Sequence, residues 1–318
     1  MPEKLPPFFH LSPDVARALE LNLPLVALES TVITHGLPFP ENLSLAEDME
    51  SEVRRQGANP VTIALIDGKL HIGLEAVHLE RLASGRENLL KISLRDIGPA
   101  IARLASGGTT VAGTLYAAHM AGIRVFATGG IGGVHHATGP RRKASFDISA
   151  DLPALAGTPM IVVCAGAKAI LDLAATLEYL ETWGVPVVGY QTDDFPAFYA
   201  RKSGYKTSAQ ANSPEEVAMF AWMHWSLGMR SALLVAAPPP EEVALDSQQV
   251  RAAVLAALKQ AQAEKISGQE VTPYLLKKVN EVTGGLSLRA NLGLLLNNAR
   301  IASQIARALV QMAPKASA

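Results

Sequence analysis

The sequence predicts an α/β fold: a single three-layer α/β/α domain over 1–318, with a mainly parallel, mixed central sheet and a helical C-terminal region. Three observations predict it. Short β-branched apolar runs alternate with helical patterns between Pro24 and Ala236, as in strands joined by crossover helices. Asp67-Gly68 falls between two apolar segments and marks one local antiparallel pair. From residue 247 onward the pattern is helical throughout.

In chain order, a Pro-rich N-terminal arm (1–14) precedes Pro24–Glu29, an apolar run of the kind that forms a fully buried strand. Ser44 and Glu47 have capping-box spacing, and Ala46, Met49 and Val53 continue at helical spacing until Gly57 stops the helix. Val61–Ile66 and Lys69–Gly73 read as a hairpin around Asp67-Gly68. Arg124–Thr128, Pro159–Val163, Pro186–Tyr190 and Ala232–Ala236 read as further strands. Helices over 247–264, 273–283 and 290–311 are expected to cover the sheet or a neighbouring subunit, with 312–318 a flexible tail. In a parallel sheet, ligands gather at the carboxyl ends of the strands.

Composition narrows the function classes. With 28 Lys+Arg against 29 Asp+Glu and no basic block, no source of counterion release is present, and nucleic-acid binding is not expected. The longest uncharged stretch, Leu104–Ile123, carries Gly, Thr, Ser and His, and reads as loops and a buried helix rather than a membrane span. Cys164 is the only cysteine, which excludes an internal disulfide framework and fits a reducing, cytoplasmic compartment.

Candidate chemistry lies where strands end. Glu29 closes the first apolar run amid Ser30, Thr31 and Thr34, where burial would raise its pKa and make it a proton donor; the alternative is a solvated turn carboxylate. Lys168 follows Val162-Val163-Cys164 and is expected in the first turn of the next helix. Desolvation and the helix end would both favour a neutral, nucleophilic amine there, although an anion anchor or a surface lysine fits the same pattern. Asp147 and Asp151, with Ser149 midway, share a face whether extended or helical, and suit a hard cation or a helix cap. Gly107–Thr114, with Thr110 and Val111 at its centre, has the makeup of a phosphate-facing turn. Thr128-Gly129-Gly130-Ile131-Gly132-Gly133-Val134-His135 lacks the third glycine of a dinucleotide fingerprint, which leaves close approach to an anionic ligand, with His135 toward substrate. Lys91 is a cation before a helix, and Asn291, Asn297 and Asn298 sit in an apolar helix where each needs a partner.

Taken together, Ala27–Gly36, Thr110–Thr114, Thr128–His135, Phe146–Asp151, Cys164–Lys168 and Gly189–Thr192 resemble the pseudouridine-5′-phosphate glycosidase family, also called the indigoidine synthase A-like family. The resemblance implies an α/β/α homotrimer that reversibly cleaves the C–C glycosidic bond of pseudouridine 5′-phosphate to uracil and ribose 5-phosphate, with one Mn²⁺ per subunit. It implies Glu29 as proton donor and Lys168 as the nucleophile that forms an imine with ring-opened ribose. Asp147 matches the metal ligand, and Lys91, Thr110, Val111, Ser149, Ala150 and Asp151 match substrate-binding positions, with Thr128, His135 and Asn291 near the substrate. Two segments depart from the family pattern: Ala137–Ser145 is longer and more basic, and Ala236-Ala237-Pro238 stands in place of an Asn-Pro pair. A lysine-dependent N-nucleosidase or sugar-phosphate lyase, and a non-catalytic nucleotide-binding protein, are the alternative readings.

Overall fold

A computed structural model describes residues 5–136, 146–264, 266 and 271–312. Its centre is an 11-stranded sheet formed by β1 (Phe9–Leu11), β2 (Leu25–Glu29), β3 (Asn59–Ile66), β4 (Lys69–Ile72), β5 (Leu90–Ile92), β6 (Gly107–Thr109), β7 (Val125–Ala127), β8 (Ile161–Cys164), β9 (Val187–Tyr190), β10 (Ala209–Ala211) and β11 (Leu233–Ala236). The order is β1-β4-β3-β2-β7-β8-β11-β9-β10, with β6 branching from β3 and β5 pairing β6. Pairing is parallel except where β4 and β6 meet β3. The expected hairpin is β3–β4, and both turn residues, Asp67 and Gly68, have positive φ (48° and 75°), the backbone a two-residue turn between twisted strands requires. β2 feeds its chain toward β3 on one side, whereas β7 feeds toward β8 on the other, so the crevice between the ends of β2 and β7 is a topological switch point.

The helical C-terminal region is α10 (Ser247–Ala263), α11 (Val271–Val282) and α12 (Leu286–Met312). α12 is apolar on more than one face because it lies over β2, β7 and β8 and is flanked by α3 (Glu41–Arg55) and α9 (Pro214–Ser226). Its apolar excess therefore covers this chain's own sheet. α6 (Val111–Met120), buried along most of its length, packs on β2 and β3 with α5 (Leu94–Ala102) and α7 (Asp151–Gly157) beside it, giving the other helical layer. Among the described residues, no helix is long and apolar enough to cross a membrane.

Several local expectations change in the fold. The N-terminal arm is partly ordered: β1 adds in parallel to β4, and α1 (Pro13–Glu20) starts at Pro13 behind a Ser12 cap. α3 starts at Glu41, before the expected capping box. The amide of Ser44 already donates to the Pro40 carbonyl (3.1 Å), so no orphan N–H is left for Ser44 to cap. The start is fixed instead by Asn42, buried, whose Nδ2 donates to the carbonyls of Ile33 and Ala83 at 2.8 and 2.9 Å. Gly107–Thr109 is not part of a turn but the short strand β6. The basic segment 137–145 and the tail 313–318 lie outside the described residues.

Candidate active site

A cavity of about 510 Å³ opens at the switch point and is lined by Glu29, Lys91, Thr110, Val111, His135, Asp147, Ser149, Ala150, Asp151 and Lys168. Ten of the twelve residues proposed from sequence therefore meet in one place, drawn from β2, β5, α6, α7 and the two segments that follow β7 and β8. A roomier hollow of about 630 Å³ beside Arg55, Arg201 and Arg300 contains none of them. Residue chemistry, not size, singles out the smaller cavity.

Glu29 ends β2 and turns toward the cavity. Burial pushes its carboxyl above the ordinary glutamate range; Lys168, a hydrogen bond from the Thr128 hydroxyl and Lys91 act against that rise, and Asp151 adds to it. The hydroxyls next to Glu29 in sequence serve the backbone instead. Ser30 Oγ donates to the Ile63 carbonyl (2.5 Å) and accepts from the Thr109 amide (2.9 Å), and Thr31 Oγ1 donates to the Thr109 carbonyl (2.6 Å), locking α2 (Thr31–His35) onto β6.

Lys168 is not in a helix. The next helix, α8 (Leu173–Thr182), starts five residues later behind an Asp172 cap. The segment 165–168 instead prolongs the β7–β8 pairing past the strand ends: Ala165 N–H donates to the Gly129 carbonyl (2.9 Å), Ile131 N–H to Gly166 (3.1 Å) and Lys168 N–H to Ile131 (3.1 Å). The backbone at Lys168 is thus set by an extended ladder rather than by a helix start. Lys91 is the lysine whose ammonium form is disfavoured, first by burial and then by the charge on Lys168, against the pull of Asp151 and Glu29. Lys91 and Lys168 share the cavity with the recessed Glu29 carboxyl. Burial also keeps the His135 imidazole below its ordinary range, with Asp147 opposing, so His135 is neutral at pH 7.

Asp151 takes a role that spacing alone did not indicate. It is 6% exposed and opens α7, and its two oxygens accept the amides of Ala112 (3.0 Å) and Gly132 (2.8 Å). Asp151 therefore clips the α6 N-terminus to the segment after β7, an anion where the helix dipole favours one. The expected phosphate turn is correspondingly changed: the Ala112 amide belongs to Asp151, and the Gly113 amide to the Thr110 cap (3.3 Å). Gly132 leaves room for this clip, since a Cβ there would sit 2.2 Å from Ser149 Oγ and 2.8 Å from Asp151 Oδ2. Asp151→Asn leaves one of the two amides facing an NH₂ group, and thermal unfolding is expected to register a loss of about 1–3 kcal/mol. An unchanged melting temperature would show that the clip carries no stability.

Two proposed positions lie outside the cavity wall. Thr128, fully buried, meets Glu29 rather than a ligand, and Asn291, on α12, does not line the cavity. The partners sought for the α12 asparagines are backbone carbonyls: Asn298 Nδ2 donates to Thr128 (2.8 Å) and Asn297 Nδ2 to Pro238 (3.4 Å). Sequence reading also passed over Thr272, which reaches the cavity from α11 with no local motif to mark it, and Arg95, on the α5 side of the mouth. Cys164 is sealed at the end of β8, and burial pushes its thiol up to about 12, which removes it as a nucleophile at neutral pH.

Among the described residues no three His, Cys, Asp or Glu side chains assemble into a metal cage. Asp147, exposed at the cavity rim, fits the other way of holding a hard cation, in which one carboxylate and retained waters do the work.

Residues 14–308 match the family model described as indigoidine synthase A like protein. A pseudouridine-5′-phosphate glycosidase of Solibacter usitatus is 50% identical over 93% of this chain and 97% of its own length. The enzyme of that name from Escherichia coli is 46% identical, with 97% of each chain covered. Among solved structures, the prealnumycin C-glycosynthase AlnA in complex with ribulose 5-phosphate superposes with a TM-score of 0.88 at 41% identity, covering 96% of this chain and 98% of that one. An indigoidine synthase A-like protein from Thermotoga maritima superposes with a TM-score of 0.83 at 34% identity, covering 95% and 97%.

Proposed function

Because the chain belongs to the indigoidine synthase A-like family, we propose that it is a pseudouridine-5′-phosphate glycosidase, releasing uracil and ribose 5-phosphate reversibly. The observation that carries this reading is the convergence of Glu29, Lys91 and Lys168 at the β2/β7 switch point. The names of the relatives, and the sugar phosphate bound by the C-glycosynthase of the same fold, supply the substrate class.

The carbon–carbon bond dictates the chemistry. Paired carboxylates break ordinary glycosides by protonating a leaving heteroatom, but a base carbon offers no such lone pair. Glu29, whose protonated form burial favours, donates to the ribose ring oxygen as the ring opens. The Lys168 amine bonds to C1′ as the C1′–O4′ bond breaks and gives a proton to the Glu29 carboxylate just formed. The freed nitrogen lone pair then makes the C=N bond as the bond from C1′ to the base breaks, and the base carbon takes that proton to become uracil. The remaining imine is hydrolysed by water, returning the amine and freeing ribose 5-phosphate. Lys91 meets the phosphate, neutral His135 offers one donor and one acceptor, and the outer lone pairs of Asp151 accept sugar hydroxyls, with Ser149, Ala150, Thr110 and Val111 shaping the wall.

Asp147 would hold a Mn²⁺ ion, one per subunit, which would supply charge neutralisation for the phosphate. A metal-dependent hydrolase acting as a homotrimer in the cytoplasm belongs to the same reading, and light scattering reports the trimer. The decisive assay is uracil release from pseudouridine 5′-phosphate after chelation and again after Mn²⁺ is restored, with uridine 5′-phosphate in parallel. Release is expected only from the C-nucleotide, lost on chelation and recovered with Mn²⁺. Release from uridine 5′-phosphate instead would favour an N-nucleosidase, and tight binding without turnover would favour a nucleotide-binding protein.

A further inference from the structure

The carboxyl at the end of β2 is linked through two hydrogen-bonding steps to a side chain of α12 that does not line the cavity. Asn298 is fully buried on α12, and its Nδ2 donates to the carbonyls of Thr128 (2.8 Å) and Gly129 (3.4 Å). Its amide can face only this way, because both partners are acceptors. The consequence is a buried Oδ1 with no hydrogen-bond partner among the described residues. A leucine would fill similar space with no orphaned oxygen, so the contribution of Asn298 lies in what its N–H groups hold. They hold the point where the chain leaves β7, whose amide is also tied to the Val163 carbonyl of β8 (3.0 Å). At that point the Thr128 hydroxyl donates to Glu29, and Thr128 itself has no surface in the cavity.

We propose that Asn298 is a positioning residue for the reaction: through the backbone at 128–129 it aims the Thr128 hydroxyl at Glu29 and so fixes the orientation and proton affinity of the donor. Thr128 acts on the carboxylate and not on the substrate. The inference rests on the function proposed above. The groups that face Glu29 are Lys168 after β8, Lys91 on β5, Asp151 at the start of α7 and Thr128 after β7, and of these only the Thr128 bond depends on Asn298. That bond favours the ionised carboxyl, so losing it raises the proton affinity of Glu29 further.

The test compares Asn298→Leu, Thr128→Val and Thr128→Ser with the wild-type holoenzyme. In kcat/KM for uracil release, the limb that falls as Glu29 ionises is expected to move to higher pH by about half a unit or more in Asn298→Leu and Thr128→Val. Over the same pair kcat drops about tenfold to a hundredfold while KM stays within about twofold. Thr128→Ser, which keeps the hydroxyl, restores the wild-type profile. Carboxyl ¹³C titration, with the Glu29 signal identified by its loss in Glu29→Gln, reads the same shift without turnover. Wild-type protein that releases no uracil overturns the proposed function but leaves this titration as the judge of the strut. An active wild type with unmoved profiles and titrations in both variants overturns the strut. If Asn298→Leu does not fold, the Thr128→Val and Thr128→Ser pair decides by the same readout.

Discussion

Lys168→Ala is expected to lower uracil release by on the order of 10⁴-fold or more, because no other described side chain at the cavity can replace an amine that becomes covalently bonded to C1′. Lys91 is the nearest substitute in kind, but it sits on β5, across the cavity from the β7–β8 ladder that sets the backbone at Lys168. Binding of pseudouridine 5′-phosphate survives in part, since Lys91 and the wall residues are unchanged. Borohydride added during turnover should fix a ribose phosphate on Lys168 in the wild type, and mass spectrometry of the digested protein should find no such adduct in the variant. A second effect follows from the loss of the Lys168 charge. Lys168 is the strongest of the groups that favour ionised Glu29, so its removal raises the proton affinity of that carboxyl further. An active wild type with Lys168 unmodified after borohydride would rule out the imine, and Lys168→Ala within tenfold of wild type would rule out the nucleophile.

Glu29→Gln is expected to cost about 10²–10⁴-fold in kcat, the range for a positioned proton donor, while leaving the fold intact. The amide oxygen still accepts from Thr128, so the geometry at the switch point is kept. The stability sign is opposite to that of most buried substitutions. The Glu29 carboxyl is raised in the fold, so the folded chain holds its proton to higher pH than the unfolded chain does. Its contribution to stability is complete below the unfolded value and is lost as pH rises through the raised one. Above that point wild type carries a recessed charge that the glutamine lacks. Melting temperatures of Glu29→Gln at alkaline pH should therefore equal or exceed those of wild type, with activity gone throughout. A variant that loses stability in step with activity would mean that Glu29 is structural.

The correspondence between motif and site has a physical basis in this fold. Glu29 and Lys168 were legible because each follows a buried apolar run, and the carboxyl ends of the parallel strands β2, β7 and β8 open on one crevice. Phe146–Asp151 was legible as a pair of converging carboxylates, of which one lies at the rim and the other also accepts two backbone amides. The capping box at Ser44 and the helix expected at Lys168 were misread because local propensity was overruled: Asn42 is anchored to carbonyls on two other elements, and the β7–β8 ladder runs on through residue 168. Thr128 and Asn291, placed near the substrate by the motif resemblance, do not line the cavity; Thr128 donates to Glu29, and Asn298 donates to the Thr128 carbonyl.

What the sequence determined by itself is everything that depends on periodicity and turn chemistry: the α/β alternation, the Asp67-Gly68 hairpin, the covered C-terminal helices and the residue types gathered at strand ends. What only the tertiary structure decided is which groups those residues face. Glu29 and Thr128 are 99 residues apart, and Thr128 and Asn298 170, so hydrogen bonding and desolvation at the cavity depend on contacts that no local window contains. Proton affinity follows from those contacts, because burial and neighbouring charge set it and both are properties of the assembled fold.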